Sequence, residues 1–497
     1  MELLKKALRY QRTVALETVY REESADCIVP DSQPDIDRIL DVHAFALLRD
    51  REAGQNEVKL RCTVRASVLY AAENDGQVHT LDVPLSFTHT LSMRGVQPRD
   101  ELLCAVRACM ADARVINSRK LAVRTTTAMR VRACREDEEQ IVCGAQEEGL
   151  CTRTEKRTLS RVRAVGVRSF TLVEDVELGQ DAPNAQSVLF ARLSIEPQET
   201  KLLAGRASVR ALARCEAVYK DPEGNLCTLE KSFPFTQSAD MAVGDGENTL
   251  EADFTLRSFE LECAVDMSGE SRYLSLSAGV TMYLSAAETE EAELLQDMYG
   301  IKRGVSFSCR MLALQPPGEA ACAKIHVSES LETAQQAQKV IYARVVPDLS
   351  AERADAETLT SSSMLSLVYQ AADGGLYGAS RRIELRFPTQ GMDAADARIS
   401  VGPVGAACAA DSLRIDFDAT AEGHAGAGEG ISMIEEAEWG EAYAPDPRAL
   451  SAILLRVPGG ESVWEIAKRY HTTAAAIEKA NGDAGEISSG SLLLIPL

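Results

Sequence analysis

Asp31, Asp35 and Asp37 crowd into one short stretch, and clustered carboxylates are what a Ca²⁺ ion or a glycosidase acid-base pair requires. Their simpler reading is helix capping, because Ser32 and Asp35 have capping-box-like spacing and acids complement a helix N-terminus. Ser118-Arg119-Lys120 could hold a small anion or be a solvated turn before a strand. The six histidines, at 43, 79, 89, 326, 424 and 471, never fall at metal-ligand spacing, and the 13 cysteines include no Cys-x-x-Cys pair. Several of those cysteines lie on alternating apolar faces, where a reduced thiol is a small hydrophobe. No phosphate-binding glycine loop, G-x-S-x-G or H-E-x-x-H is present, so neither catalysis, a cofactor nor a metal is expected.

The elements that would position these groups come from a chain of 497 residues, enough for three or four domains at about 150 residues each. A formal charge of −22 repels phosphate backbones and anionic lipid, which argues against nucleic acid as a partner. The first residues, MELLKKALRYQRT, form no secretory signal, and no apolar run approaches the ~18 residues of a membrane span. A soluble protein that is not exported is the expectation.

One signature occurs three times: an alternating strand ending in Tyr, a Gly-containing turn, and a second strand ending in an aromatic. Its copies are marked by Tyr70, Gly76 and Phe87, then Tyr219, Gly224 and Phe235, then Tyr369, Gly375 and Phe387. The tyrosines stand 149 and 150 residues apart, which argues for tandem duplication. Val58, Leu60, Cys62, Val64, Ala66, Val68 and Tyr70 alternate as one buried strand face, and Val209 to Tyr219 repeats the pattern. A late strand recurs at Leu121 to Val131, Leu274 to Met282 and Leu413 to Phe417. A short helix is predicted before each tyrosine: Ile36, Ile39 and Leu40 fall at i, i+3 and i+4, and Ala185 to Arg192 and Leu331 to Ala343 match them. The fold class read from this is mainly β: three tandem antiparallel β-rich repeats, each with a short helix, at 1–135, 148–290 and 293–425. Arg135 to Gly149 reads as an acidic, turn-like break, and 426–447 as a flexible linker rich in Gly and acid, with Trp439 as a candidate exposed docking residue. Residues 448–497 should then move independently.

That last segment reads strand, helix, helix, strand, a small α+β unit. Ile453 to Val457 is the first strand; Ser462 and Glu465 form a capping box; Val463, Ile466, Ala467 and Tyr470 share a face; Asn481-Gly482 ends the second helix; Leu492 to Ile495 closes the unit. VPGGESVWEIAKRYHTTAAAIEKANGDAGEISSGSLLLIP resembles a LysM module over its whole length. The resemblance implies a shallow groove for N-acetylglucosamine polymers between Gly460, Glu461 and Ser462 and a second loop with Asp483, Gly485, Glu486, Ile487 and Ser488. Trp464 would stack on a sugar or fill the small core. Glu461, Asp483 and Ser491 depart from the residues usual in that family.

IVPDSQPDIDRIL, the Tyr70 strand, Pro84 to Phe87 and INSRKLAVR resemble the SPOCS domain of endospore-forming Firmicutes; the second copy keeps SRYLSL, and the third keeps less. Several such units before one LysM module is the layout of clostridial spore-coat morphogenetic proteins. The resemblance implies a non-enzymatic scaffold at the forespore surface, in the mother-cell cytoplasm, whose repeats and module dock the basement-layer ATPase of the coat. The alternative it leaves is a peptidoglycan-binding protein of the wall or cortex.

Overall fold

Val58, Leu60, Cys62, Val64, Ala66, Val68 and Tyr70 are fully buried along one face of a single strand, Glu57–Ala72, as their period of two requires. The computed structural model describes residues 1–74, 76–203, 205–241, 248–264, 271–314, 320–395, 397–409, 412–425, 430–444, 451–457, 461–482 and 492–497. The protein is mainly β, built of antiparallel sheets, with two short C-terminal helices flanked by strands.

The first unit comprises β1 (Leu3–Ile28), β2 (Ile36–Ala53), β3 (Glu57–Ala72), β4 (Val78–Ser92), β5 (Glu101–Asn117) and β6 (Lys120–Ala145). The second repeats them as β7 (Leu150–Glu177), β8 (Ser187–Leu203), β9 (Arg206–Lys220), β10 (Leu226–Asp240), β11 (Asn248–Ala264) and β12 (Tyr273–Gly300). The third is more broken: β13 (Arg303–Met311), β14 (Ala320–Glu332), β15 (Ala337–Pro347), β16 (Glu352–Arg353), β17 (Thr358–Ala371), β18 (Leu376–Pro388), β19 (Arg398–Val401), β20 (Gly405–Cys408), β21 (Ser412–His424) and β22 (Ser432–Ala442).

Each unit pairs its strands in the same order. One sheet is β2-β3-β4, β8-β9-β10 or β15-β17-β18; in the first two units the other sheet sets the first strand beside the last and the last beside the penultimate, as β1-β6-β5 and β7-β12-β11, and in the third unit the same ladder is split into β14-β21-β19, with β20 also on β21, and a separate β13-β22 ribbon. The central strands β3, β9 and β17 carry Tyr70, Tyr219 and Tyr369, each at most 1% exposed. Two of the hydroxyls donate to a carbonyl in the loop ahead of the sheet, Tyr70 to Pro34 at 3.2 Å and Tyr219 to Pro183 at 3.1 Å, and Tyr369 accepts from the Gln335 amide. A phenol ring filling the core with its hydroxyl tied to a loop explains why tyrosine marks this position.

The helix predicted in each repeat does not form. Ile36, Ile39 and Leu40 lie on β2, the 185–192 segment runs into β8, and 331–343 spans the end of β14 and most of β15. The ladders explain the misreading. Register shifts at Ile36/Arg38 and Ile39/Asp41 add residues to β2, and equivalent shifts occur at Val188/Phe190 and Val340/Tyr342. Each bulge resets the alternation, so apolar side chains appear three and four apart as they would on a helix.

Two further expectations are overturned. The acidic break at 135–149 is mostly strand: β6 continues to Ala145 against the start of β1, with Arg12 reaching diagonally to an ion pair with Asp137 at 3.2 Å. The flexible linker of 426–447 contains β22, which pairs with β13 and buries Met433 and Ile434. The composition of this segment is that of a tether, but its Ile-Ser-Met-Ile cluster has a core to enter. That core is shared. The ribbons β1/β6, β7/β12 and β13/β22 meet around Leu8, Ile141, Leu159, Leu294, Met298 and Ile434. A second shared core joins the three units at the residue before each tyrosine, Leu69, Val218 and Val368. Between the first and third units Arg344 and Asp41 form an ion pair at 2.9 Å with side chains 11% and 5% exposed, and Tyr342 donates to the same carboxylate at 2.9 Å.

Candidate functional site

The C-terminal module consists of β23 (Ala452–Arg456), α1 (Val463–Arg469), α2 (Ala474–Asn481) and β24 (Leu492–Pro496). Its core is Val457, Ile466, Ala467, Ile477, Leu493 and Ile495. Ser462 caps α1: its hydroxyl accepts from the Glu465 amide, and the Glu465 carboxylate accepts from the Ser462 amide at 2.9 Å. Asn481 donates to the carbonyls of Ile477 and Leu494, both at 2.7 Å, and accepts from the Leu494 amide at 2.8 Å. One asparagine therefore stitches α2 to the closing strand, which is why the helix stops there.

Of the residues expected to grip a glycan, Ser462 serves the helix cap, and Glu461 is ion-paired with Arg469. Gly460, Asp483, Gly485, Glu486, Ile487 and Ser488 lie outside the described residues, as does Ser491.

The module is not held by chain connection alone. It sits on the far end of the β7/β12 ribbon, where Trp464 packs edge-on against Tyr299 with ring centroids 4.9 Å apart. The Trp464 indole N–H donates to Asp297 at 2.7 Å, and the Lys468 ammonium donates to the other oxygen of that carboxylate at 2.6 Å. The Tyr299 hydroxyl donates to the Thr472 carbonyl at 2.7 Å. Burial pushes the Asp297 carboxyl up, but hydrogen bonds from Lys468 and Trp464 and the ammonium charge outweigh it, leaving the group below the usual carboxylate range. Desolvation holds the Tyr299 phenol well above its ordinary value. Trp464 thus presents its ring to the protein's own ribbon. Asp297 and Tyr299 were not singled out in the sequence; the available signal was an apolar LLQDMYG run following an acidic stretch.

The other candidates resolve into structural roles. Trp439 donates its indole N–H to Glu147 and lies under the Arg303 guanidinium at 5.7 Å, so it closes the β13/β22 ribbon and does not stand free for docking. The three aspartates cap no helix. Arg119 bonds Asp35 at 2.8 Å, Asp31 at 3.2 Å and the Gln33 and Val29 carbonyls at 2.9 and 3.0 Å. With Ser118 donating to Asp35 at 2.9 Å, the acidic loop and the basic turn satisfy each other. Hydrogen bonds from Arg119 and then Ser118 hold the Asp35 carboxyl low. The second unit repeats the clamp: Arg272 donates to Gly179 at 2.7 Å and Asn184 at 3.4 Å. Among the described residues no group of three or more His, Cys, Asp and Glu side chains could hold a metal. Burial pushes the Cys62, Cys104 and Cys215 thiols up to about 12, so these are packing groups and not nucleophiles.

Residues 35–116 match the family described as SipL, SPOCS domain. Over this stretch the chain is similar to a SPOCS domain. The stretch runs from the strand-leading loop through β2, β3 and β4 into β5, and so takes in the complete Tyr70 sheet and its penultimate strand. It covers under a fifth of the chain and does not reach the C-terminal module, whose likeness to LysM rests on its own residues and element order. No curated protein and no solved structure matches the chain. The SPOCS domain suggests a spore-coat morphogenetic role, in a family that is generally non-catalytic. Among the described residues no helix is long and apolar enough to cross a membrane.

Proposed function

We propose that this protein is a non-enzymatic scaffold of spore-coat assembly, acting at the forespore surface in the mother cell. The observation that carries the reading is the SPOCS match at 35–116, repeated twice more as strand order around Tyr219 and Tyr369. Three units locked by two shared cores offer a broad rigid surface, and buried ion pairs and thiols with raised pKa values leave little for chemistry. In this reading the repeats and the LysM-like module together dock the basement-layer ATPase of the coat. Trp464, turned onto Tyr299, supports a role in holding the module to the body over one in stacking on a sugar.

Co-precipitation from sporulating cells with the full chain, and with a chain ending at residue 444, tests the reading. Recovery of the ATPase by the full chain and its loss or weakening on truncation is the expected outcome. Recovery of peptidoglycan or chitin by the full chain without the ATPase would establish the glycan-binding alternative instead.

A further inference from the structure

The register that aligns the three tyrosines aligns a second set of residues. Three positions before each tyrosine, Ser67, Glu216 and Ser366 face His43, Arg192 and Arg344 across the ladder. Each unit therefore places a basic side chain at the same repeat position, and all three line one cavity of about 680 Å³ at the junction of the units. Arg107 from β5 joins them. The volume falls within the range of small-molecule sites.

These bases are poorly matched by the protein. Arg344 is paired with Asp41, but no carboxylate among the described residues forms an ion pair with Arg107 or Arg192. Arg107 donates from one nitrogen to the carbonyls of Pro347 and Asp348, at 3.3 and 3.1 Å. The Arg192 guanidinium has no hydrogen bond among the described residues, and Glu216, opposite it in the ladder, stays beyond ion-pair distance. His43 is 2% exposed and stacks on Phe190 at 4.6 Å; neither ring nitrogen makes a hydrogen bond of normal geometry, and the Ala191 backbone is the polar group beside them. Desolvation, then the charges of Arg344 and Arg192, hold His43 well below its ordinary pKa, so it is neutral with one N–H to donate. Half-buried guanidiniums with idle donors and an unpaired buried imidazole lack an acceptor, and a forked guanidinium fits a carboxylate or phosphate.

We propose that this junction cavity binds a small multiply charged oxyanion, a polycarboxylate or phosphate compound, held by Arg107, Arg192, Arg344 and His43. The site goes beyond the scaffold reading and does not depend on it. The lining also carries the carboxylates Glu196, Glu216, Glu230, Asp253 and Glu422, which disfavour an acidic protein or nucleic acid as the occupant and slow the arrival of any anion. Because strands of all three units surround the cavity, the ligand acts as a bolt between them.

Calorimetry and thermal denaturation of the full chain with citrate, inorganic phosphate and tripolyphosphate at matched ionic strength test the proposal. Neutral N-acetylglucosamine is the control ligand, and Arg12→Gln the surface control. Saturable binding of at least one anion, weakened about tenfold or more by Arg192→Gln and by Arg107→Gln and unchanged by Arg12→Gln, is expected. Hydrogen exchange of the wild-type chain should show protection appearing together in β2, β8 and β15; this map needs no variant and decides the matter if a substitution unfolds the protein. No saturable binding, equal binding by all variants, or protection confined to one unit would overturn it.

Discussion

Replacing Asp297 with alanine removes the partner of two donors at once. The indole of Trp464 and the ammonium of Lys468 reach its two oxygens at 2.7 and 2.6 Å. The Asp297 side chain is 14% exposed, so the indole bond is shielded from water; a bond to a charged acceptor contributes about 1.5–3 kcal/mol. Lys468 is 41% exposed, and solvent screening limits its share to about 1 kcal/mol or less. Together the substitution should weaken docking of the module by about 2–4 kcal/mol, roughly 30- to 1000-fold in the docked-to-undocked ratio. Trp464 emission in a Trp439→Phe background reads this directly, as a red shift and an earlier urea transition, and a cycle with Lys468→Met separates the two bonds. The pH dependence has a definite sign. Because the Asp297 pKa is lowered in the docked state, its contribution is complete above the ordinary carboxylate value of about 4 and is lost as pH falls through the lowered value. Trp464 emission should therefore hold from neutral pH to about 5 and shift below about 4, with Asp297→Asn lacking this step. A Trp464 transition unchanged within about 0.3 kcal/mol in Asp297→Ala would refute the reasoning.

Asp41→Ala should cost about 3–5 kcal/mol, since it strands the Arg344 guanidinium between units; equilibrium denaturation measures it. Gly378→Ala should lower the melting temperature by several degrees, because a Cβ there would lie 1.5 Å from the Leu40 carbonyl oxygen where β18 crosses β2; an unchanged melting curve contradicts that packing. In native protein at pH 8 iodoacetamide should label Cys309, Cys322 and Cys408, which are exposed, and leave Cys62, Cys104 and Cys215 unmodified until denaturant is added, as peptide mass spectrometry will show.

Side-chain alternation on β3 and the near-constant tyrosine spacing were legible without coordinates, because a period of two and a duplicated signature are local properties of the chain. So were the strand-helix-helix-strand order and the Ser462 cap, each decided by residues a few positions apart. The helices expected ahead of the tyrosines failed for a definite reason: a bulge is paid out in pairing with a neighbouring strand, and the sequence shows only its rephased pattern. The linker failed likewise, since Met433 and Ile434 bury themselves only because two other ribbons, more than a hundred residues earlier, supply the rest of the core. Tertiary structure alone set Trp464 against Tyr299 and Asp297, joined the acidic loop of Asp31 and Asp35 to Arg119, and brought His43, Arg192 and Arg344 to one cavity. Those meetings depend on how three similar units pack, and packing between units is governed by surfaces assembled from distant strands, which no window along the chain contains.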